Sequence, residues 1–167
     1  TDFAGIEKIN SAEAIDVSEV AENIAETFRV QVEQKGGQIA IEREGDRFIV
    51  SGNMDLFHIA LGNLVDNALK YSGRQPQILI RLSSTDGKLL VNIEDNGPGI
   101  AKEYRDKVFE KYFRVPAGST HSVEGFGLGL YQVRGIISEM RGNIRITNRK
   151  EGGLSVTIEL PLAKNNG

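Results

Sequence analysis

Apolar positions along this chain recur with two periods, about 3.6 and 2, and the switches between them outline the elements. Residues 1–10 read as the tail of a helix or as a linker. Ala14-Ile15-Asp16-Val17 predicts a short strand. Ser18 is then expected to cap a helix running to about Gln34, with Val20, Ile24, Phe28 and Val32 on one face and Gly36-Gly37 at its end. Two strands, Gln38–Glu42 and Arg47–Ser51, are expected to be joined by a turn at Glu44-Gly45-Asp46. Asn53 caps the next helix and Gly73 terminates it. Within it Phe57, Leu61, Leu64, Val65 and Ala68 make one apolar stripe.

Period 2 returns after Gln77, with Ile78, Ile80 and Leu82 inward. Asp86-Gly87 is a strong hairpin signal, and Lys88–Asp95 follows with Leu89, Val91 and Ile93 on one face. A short helix is expected from Lys102 to about Tyr112, with Tyr104, Val108 and Phe109 inward. Val115–Glu124 has little apolar pattern and reads as a surface loop. The last helix opens at Gly125–Leu130, carries Leu130, Val133, Ile137 and Met140 on one face, and ends at Gly142 beside Arg141. Asn143–Asn148 and Leu154–Leu160 close the chain as a hairpin around Glu151-Gly152-Gly153, with Pro161 stopping the last strand.

With 167 residues, 40% of them hydrophobic, the chain is long enough for one domain with a real core. A net charge of -3 gives no reason to expect nucleic acid as a partner. The absence of cysteine excludes a disulfide scaffold and thiolate metal sites. No apolar run is long enough to span a bilayer. The chain begins at Thr1, and the expectation is a piece of a longer protein. Of its 19 glycines, many fall between Gly97 and Gly153, where backbone geometry is expected to matter.

Three stretches carry candidate chemistry. On the capped helix, Asn63 and Asn67 lie four apart on a face adjoining the apolar stripe, with Lys70 and Tyr71 at the next turn. Carboxamide oxygens suit Mg²⁺ and an ammonium suits phosphate. An ordinary amphipathic helix with a polar outer face fits the same residues. Asp95 ends a strand and is followed by Gly97 and Gly99. Its carboxylate could accept from an exocyclic amine, with glycines allowing a flat ring close to the backbone; a simple turn would also suit this sequence. Gly125-Phe126-Gly127-Leu128-Gly129-Leu130 matches neither the dinucleotide fingerprint nor the P-loop. It places backbone N–H groups at a helix N-terminus, as a phosphate cradle, a hinge or both.

In this order the stretches resemble the ATP-binding catalytic domain of sensor histidine kinases, in the Bergerat-fold group with DNA gyrase and MutL. Asn63–Ser72 is similar to the family's N-box and Asp95–Ile100 to its first glycine box. Val108–Arg114 resembles the F-box, Gly125–Leu130 the second glycine box, and Gly153–Pro161 the closing one. Phe126, Leu154 and Val156 depart from the family's usual residues.

The resemblance implies an α+β two-layer sandwich. A mixed, mostly antiparallel sheet of about five strands would be covered on one face by about three helices, with a glycine-rich ATP lid. Residues 1–10 would end a helical hairpin or form a linker, 11–164 would be the catalytic domain with a lid at about 97–127, and 165–167 a tail. The cofactors implied are ATP and Mg²⁺. Asp95 would receive the adenine amine, with Gly97, Gly99 and Ile100 beside it and Tyr71 lining the adenine and ribose side. Asn67 would be the Mg²⁺ ligand and Asn63 would support the phosphates. Lys70 and Arg114 would offset phosphate charge, and Phe109 and Phe113 would anchor the lid. Gly125, Gly127, Leu128, Gly129 and Leu130 would fold over the triphosphate.

The activity implied is transfer of the γ-phosphoryl group to a histidine on a separate dimerisation and phosphoacceptor domain, with a response regulator downstream. The parent would be a homodimeric sensor anchored in the inner membrane, this domain cytoplasmic and monomeric in isolation. His58 and His121 lack the acceptor's context. Alternatives are a hydrolytic ATPase clamp, a nucleotide-binding module and an anti-sigma-type serine kinase. Gyrase-like enzymes carry a glutamate base where this chain has Asn63, and an amide cannot accept a proton usefully at neutral pH.

Overall fold

The computed structural model describes residues 12–111 and 126–164, with the side chains of 126–128 left out. The described residues open with β1 (Glu13–Asp16) and α1 (Val17–Gln34). Then come β2 (Gln38–Glu44), β3 (Ile49–Gly52) and α2 (Met54–Ser72). The β4–β5 hairpin follows (Gln77–Thr85 and Lys88–Glu94), then two 3₁₀ turns, Lys102–Tyr104 and Lys107–Phe109. The chain closes with α3 (Phe126–Glu139), β6 (Asn143–Asn148) and β7 (Leu154–Pro161).

Five strands form one sheet in the order β2-β4-β5-β7-β6, with only the β2–β4 pair parallel. Alternation decides its two faces. One register rung crosses all five strands through Ile41, Ile80, Ile93, Val156 and Ile146. These side chains join the core, which α1, α2 and α3 complete. The opposite face is polar. There Asn92 Nδ2 donates to Ser155 Oγ at 2.7 Å and Thr157 Oγ1 at 2.9 Å, and Arg81 lies 3.2 Å from Glu42. The expected architecture, an α+β sandwich with a mixed five-stranded sheet and helices on one face, is the one observed.

Four local expectations are corrected. The strands on either side of Gly45 do not pair. β2 runs parallel to β4, while β3 pairs antiparallel with β1, setting Ile15 opposite Val50. Both of those residues are buried, so β3 gains more from covering β1 than from extending a hairpin. Second, α1 is capped by Asp16, not Ser18: Asp16 Oδ1 accepts from Ser18 N at 3.0 Å and Glu19 N at 3.4 Å. An aspartate two residues upstream meets both orphan N–H groups, and its charge suits the helix dipole. Third, the expected helix from Lys102 is two 3₁₀ turns in its described part. Only Val108 is fully buried there, too little apolar surface to hold a longer helix. Fourth, the last helix, expected to run to Gly142, stops at Glu139, and the left-handed residue after it is Arg141 (φ 64°). Gly142 N donates to Ile137 O at 3.0 Å and Arg141 N to Ser138 O at 3.0 Å, a Schellman closure with arginine at the left-handed position.

Other expectations hold. Asn53 Oδ1 accepts from Leu56 N at 2.7 Å to cap α2, and Gly73 follows its end with φ 71°. Asp86 (φ 50°) and Gly87 (φ 78°) make the primed turn of the β4–β5 hairpin.

Candidate functional site

Strand parity decides the fate of Asp95. Leu89, Val91 and Ile93 point inward from β5, and the next residue of the same parity is Asp95, only 5% exposed. The closing hairpin grips it. Asp95 N donates to Leu154 O at 3.0 Å, and its Oδ1 accepts from Gly97 N at 2.8 Å and Leu154 N at 3.3 Å. Oδ2 has no hydrogen bond among the described residues and remains able to accept one. Burial pushes the carboxyl above its ordinary pKa of 3.8, opposed by the N–H groups of Gly97 and Leu154 and by the charge of Arg149.

The loop after Asp95 is fixed on both sides. Gly97 packs so closely on the Tyr71 carbonyl that a Cβ there would lie 2.6 Å from it. The first glycine box therefore touches the C-terminal turn of α2. Gly99 takes φ 77°. Asn148, at the end of β6, spans Ile100 with both halves of its amide, Oδ1 accepting from Ile100 N at 2.9 Å and Nδ2 donating to Ile100 O at 2.8 Å. Ile100 is buried, so its side chain and main chain both serve the loop's shape. Asn96 joins the loop to the start of β4, accepting from Gln77 N at 2.9 Å.

On α2 the expected apolar stripe is buried, while Asn63 and Asn67 lie half-buried on the adjoining face. Asn67 Nδ2 is buried with no hydrogen-bond partner among the described residues. It faces α3: a Cβ on Gly129 would sit 3.7 Å from it. The N-box and the second glycine box are thus neighbours. A buried amide left unsatisfied costs stability unless a ligand completes it. Lys70 is exposed and its ammonium lies 2.9 Å from Asp66 Oδ2, a surface i,i+4 pair. Tyr71 is half-buried against the core beside Gly97.

The last turns before residue 112 dock on α3. Val108 is buried, and the Phe109 ring lies 5.3 Å from the Arg134 guanidinium carbon. Gly127 and Leu128 lie in the first turns of α3. Leu130 is a core side chain, 1% exposed, so a ligand could meet only its main chain. Arg114, Phe113, Gly125, His121 and the rest of the Val115–Glu124 loop fall outside the described residues. His58 is exposed on α2.

Sequence reasoning missed Asn148 and Arg149. No periodicity marks them, because they act from a hairpin that only the β6–β7 register brings to Asp95. The site fits a magnesium ion held by few protein groups. Asn67 offers a carboxamide whose two ends are interchangeable by rotation, so its oxygen can occupy the unsatisfied position. Among the described residues no cluster of three His, Asp or Glu side chains offers another cage.

Comparison with known proteins agrees with the fold. The family described as histidine kinase-, DNA gyrase B-, and HSP90-like ATPase matches residues 52–164. The sensor protein RprX of Bacteroides fragilis is 38% identical over 156 residues, which are 91% of this chain and 30% of RprX. The chain therefore spans about a third of that curated relative. Among solved structures, the catalytic domain of the histidine kinase ThkA superposes with a TM-score of 0.80 at 25% identity, covering 91% of this chain and 96% of that one. A mycobacterial sensor histidine kinase, MprB, gives 0.77 at 29% identity over 93% of this chain and 100% of its own. The chain belongs to the histidine kinase-, DNA gyrase B-, and HSP90-like ATPase family, as a nucleotide-binding domain whose homologues are sensor histidine kinases.

Proposed function

We propose that this domain binds Mg·ATP between α2, the Asp95–Ile100 loop and α3, and donates the γ-phosphoryl group to a histidine on a separate domain. The observation that carries the reading is Asp95. It is a buried carboxylate with one oxygen held by two backbone N–H groups and the other left with no hydrogen bond among the described residues. An exocyclic amine such as adenine's supplies the missing donor. Titration with Mg·ADP tests this, with Asp95→Asn as the comparison: the wild type binds and the variant loses most of its affinity.

The phosphates then extend toward Asn67, Asn63 and the opening turns of α3, whose N–H groups favour anionic oxygens. Mg²⁺ when bound offsets charge on the phosphates, with Asn67 as its protein ligand. Lys70 adds positive charge, reduced by its pairing with Asp66. Arg114 is assigned the same duty from the sequence resemblance. The transfer makes a P–N bond to the acceptor imidazole as the bond to the β–γ bridging oxygen breaks, releasing ADP. This chain contributes position and charge stabilisation. With an amide at Asn63, no carboxylate base stands there to activate water, which favours an external nucleophile.

The parent would carry the acceptor histidine on a helical hairpin before this domain, form a homodimer and pass the phosphoryl group to a response regulator. Anchorage in the inner membrane belongs to the same reading. Among the described residues no helix is long and apolar enough to cross a membrane.

A further inference from the structure

We propose that Arg149 is the positioning residue of the adenine-reading carboxylate: from the β6–β7 hairpin its guanidinium holds the Asp95 main chain and keeps a fixed positive charge behind the carboxyl group. The inference rests on the reading of Asp95 given above. Arg149 belongs to none of the sequence boxes.

Its contacts define the role. Nη1 donates to Asp95 O at 2.8 Å and to Gly152 O at 3.3 Å, while Nη2 lies 2.9 Å from Glu151 Oε2. Nε is buried and bonds nothing among the described residues, so the two Nη groups carry the whole function. The hairpin is shaped to bring them there. Arg149 N donates to Gly153 O at 2.9 Å and Gly152 N to Arg149 O at 3.1 Å. Gly153, at φ 101°, leaves room for the Asp95 carbonyl where any side chain would overlap it. The Asp95 peptide is thus enclosed by Leu154 on its N–H and carboxylate and by Arg149 on its carbonyl. With both ends of the residue held, the unengaged carboxylate oxygen has one direction in which to accept.

A lysine could reach one of these acceptors but lacks the planar fork that serves three at once. Among the described residues, Arg149 is the charged group that acts on the Asp95 carboxyl. Arg149 faces it from the hairpin, with Glu151 on the guanidinium's far side. From α2 the neighbour of Gly97 is the Tyr71 main-chain carbonyl, and the Lys70 ammonium is paired with Asp66. Arg149 is therefore the group whose charge opposes the effect of burial on the carboxyl, alongside the Gly97 and Leu154 N–H groups.

The test is calorimetric titration of the chain with Mg·ATP, Mg·ADP and Mg·GTP from neutral to mildly acidic pH, for wild type, R149M, R149Q and R149K. R149M is expected to weaken ATP and ADP binding by the same factor, about tenfold. It should also lower the preference for ATP over GTP, which has a carbonyl where adenine has its amine. Loss of the charge should move the acid limb of binding to higher pH, and R149K should leave that limb in place. A larger loss for ATP than for ADP would make Arg149 a phosphate ligand and overturn the proposal. So would wild-type affinity with an unmoved acid limb. Should R149M not fold, R149Q and R149K decide: the account requires the limb to move in the first and stay in the second, and identical limbs contradict it. A wild-type chain that binds none of these nucleotides would defeat the reading of the site itself, a result distinct from failure of Arg149.

Discussion

Asp95→Asn separates binding from stability. The asparagine oxygen can keep the N–H groups of Gly97 and Leu154 that Oδ1 accepts at 2.8 and 3.3 Å. The change falls on the other atom, where an acceptor becomes an NH₂ that would oppose the amine of the proposed adenine. The lost charge-assisted bond is worth about 1.5–3 kcal/mol, and two opposed donors add about 1 kcal/mol more. Affinity for Mg·ADP should fall by roughly two orders of magnitude. Stability should not fall with it. The folded pKa of Asp95 lies above the unfolded value, so its ionised form is less favourable in the fold than in the open chain. Its contribution is fully present below the unfolded pKa and is lost as pH rises through the folded pKa. At neutral pH the neutral amide removes that cost, and the nucleotide-free variant should melt at or above the wild-type temperature. The gap should close on acidification as Asp95 takes up its proton. Calorimetry with and without Mg·ADP reads both quantities. Unchanged affinity would remove Asp95 from the adenine site, and a loss matched by a large drop in nucleotide-free melting temperature would make it structural.

Three further outcomes follow from the same geometry. Asn67→Ala should weaken nucleotide binding in Mg²⁺ by about tenfold and much less in chelator, a contrast that paired titrations measure and that equal losses would contradict. Ile93→Ala, at the centre of the five-strand rung, should cost about 2–5 kcal/mol in urea unfolding. Asp16→Ala, removing the observed cap of α1, should cost about 0.5–2 kcal/mol, whereas Ser18→Ala should cost less, as the same unfolding assay will show.

How much of this was legible in sequence depends on the range of the physics. Elements set by local period and capping were readable. The stripe on α2, the Asn53 cap and the Asp86-Gly87 turn depend on residues within a few positions of one another. Strand partnership was not. Whether β3 joined β2 or β1 turned on burying Ile15 against Val50, separated by 35 residues. Chemistry alone left Asn63, Asn67 and Asp95 open to readings as an ordinary helix face and a simple turn; the resemblance in the order of the boxes is what proposed their roles. That Asp95 is buried follows from the parity of Leu89, Val91 and Ile93, which places its side chain on the core face. Arg149 and Asn148 carried no such mark. Their roles arise from the register of a hairpin against a distant loop.

The direct test of phosphoryl transfer is to incubate the chain with Mg²⁺ and γ-labelled ATP, alone and with the proposed histidine-bearing acceptor domain. The chain itself should stay unlabelled, little free phosphate should form, and the added domain should carry an acid-labile, base-stable label. Steady phosphate release without the acceptor, an acid-stable label on a serine, or labelling of this chain at His58 would contradict this reading.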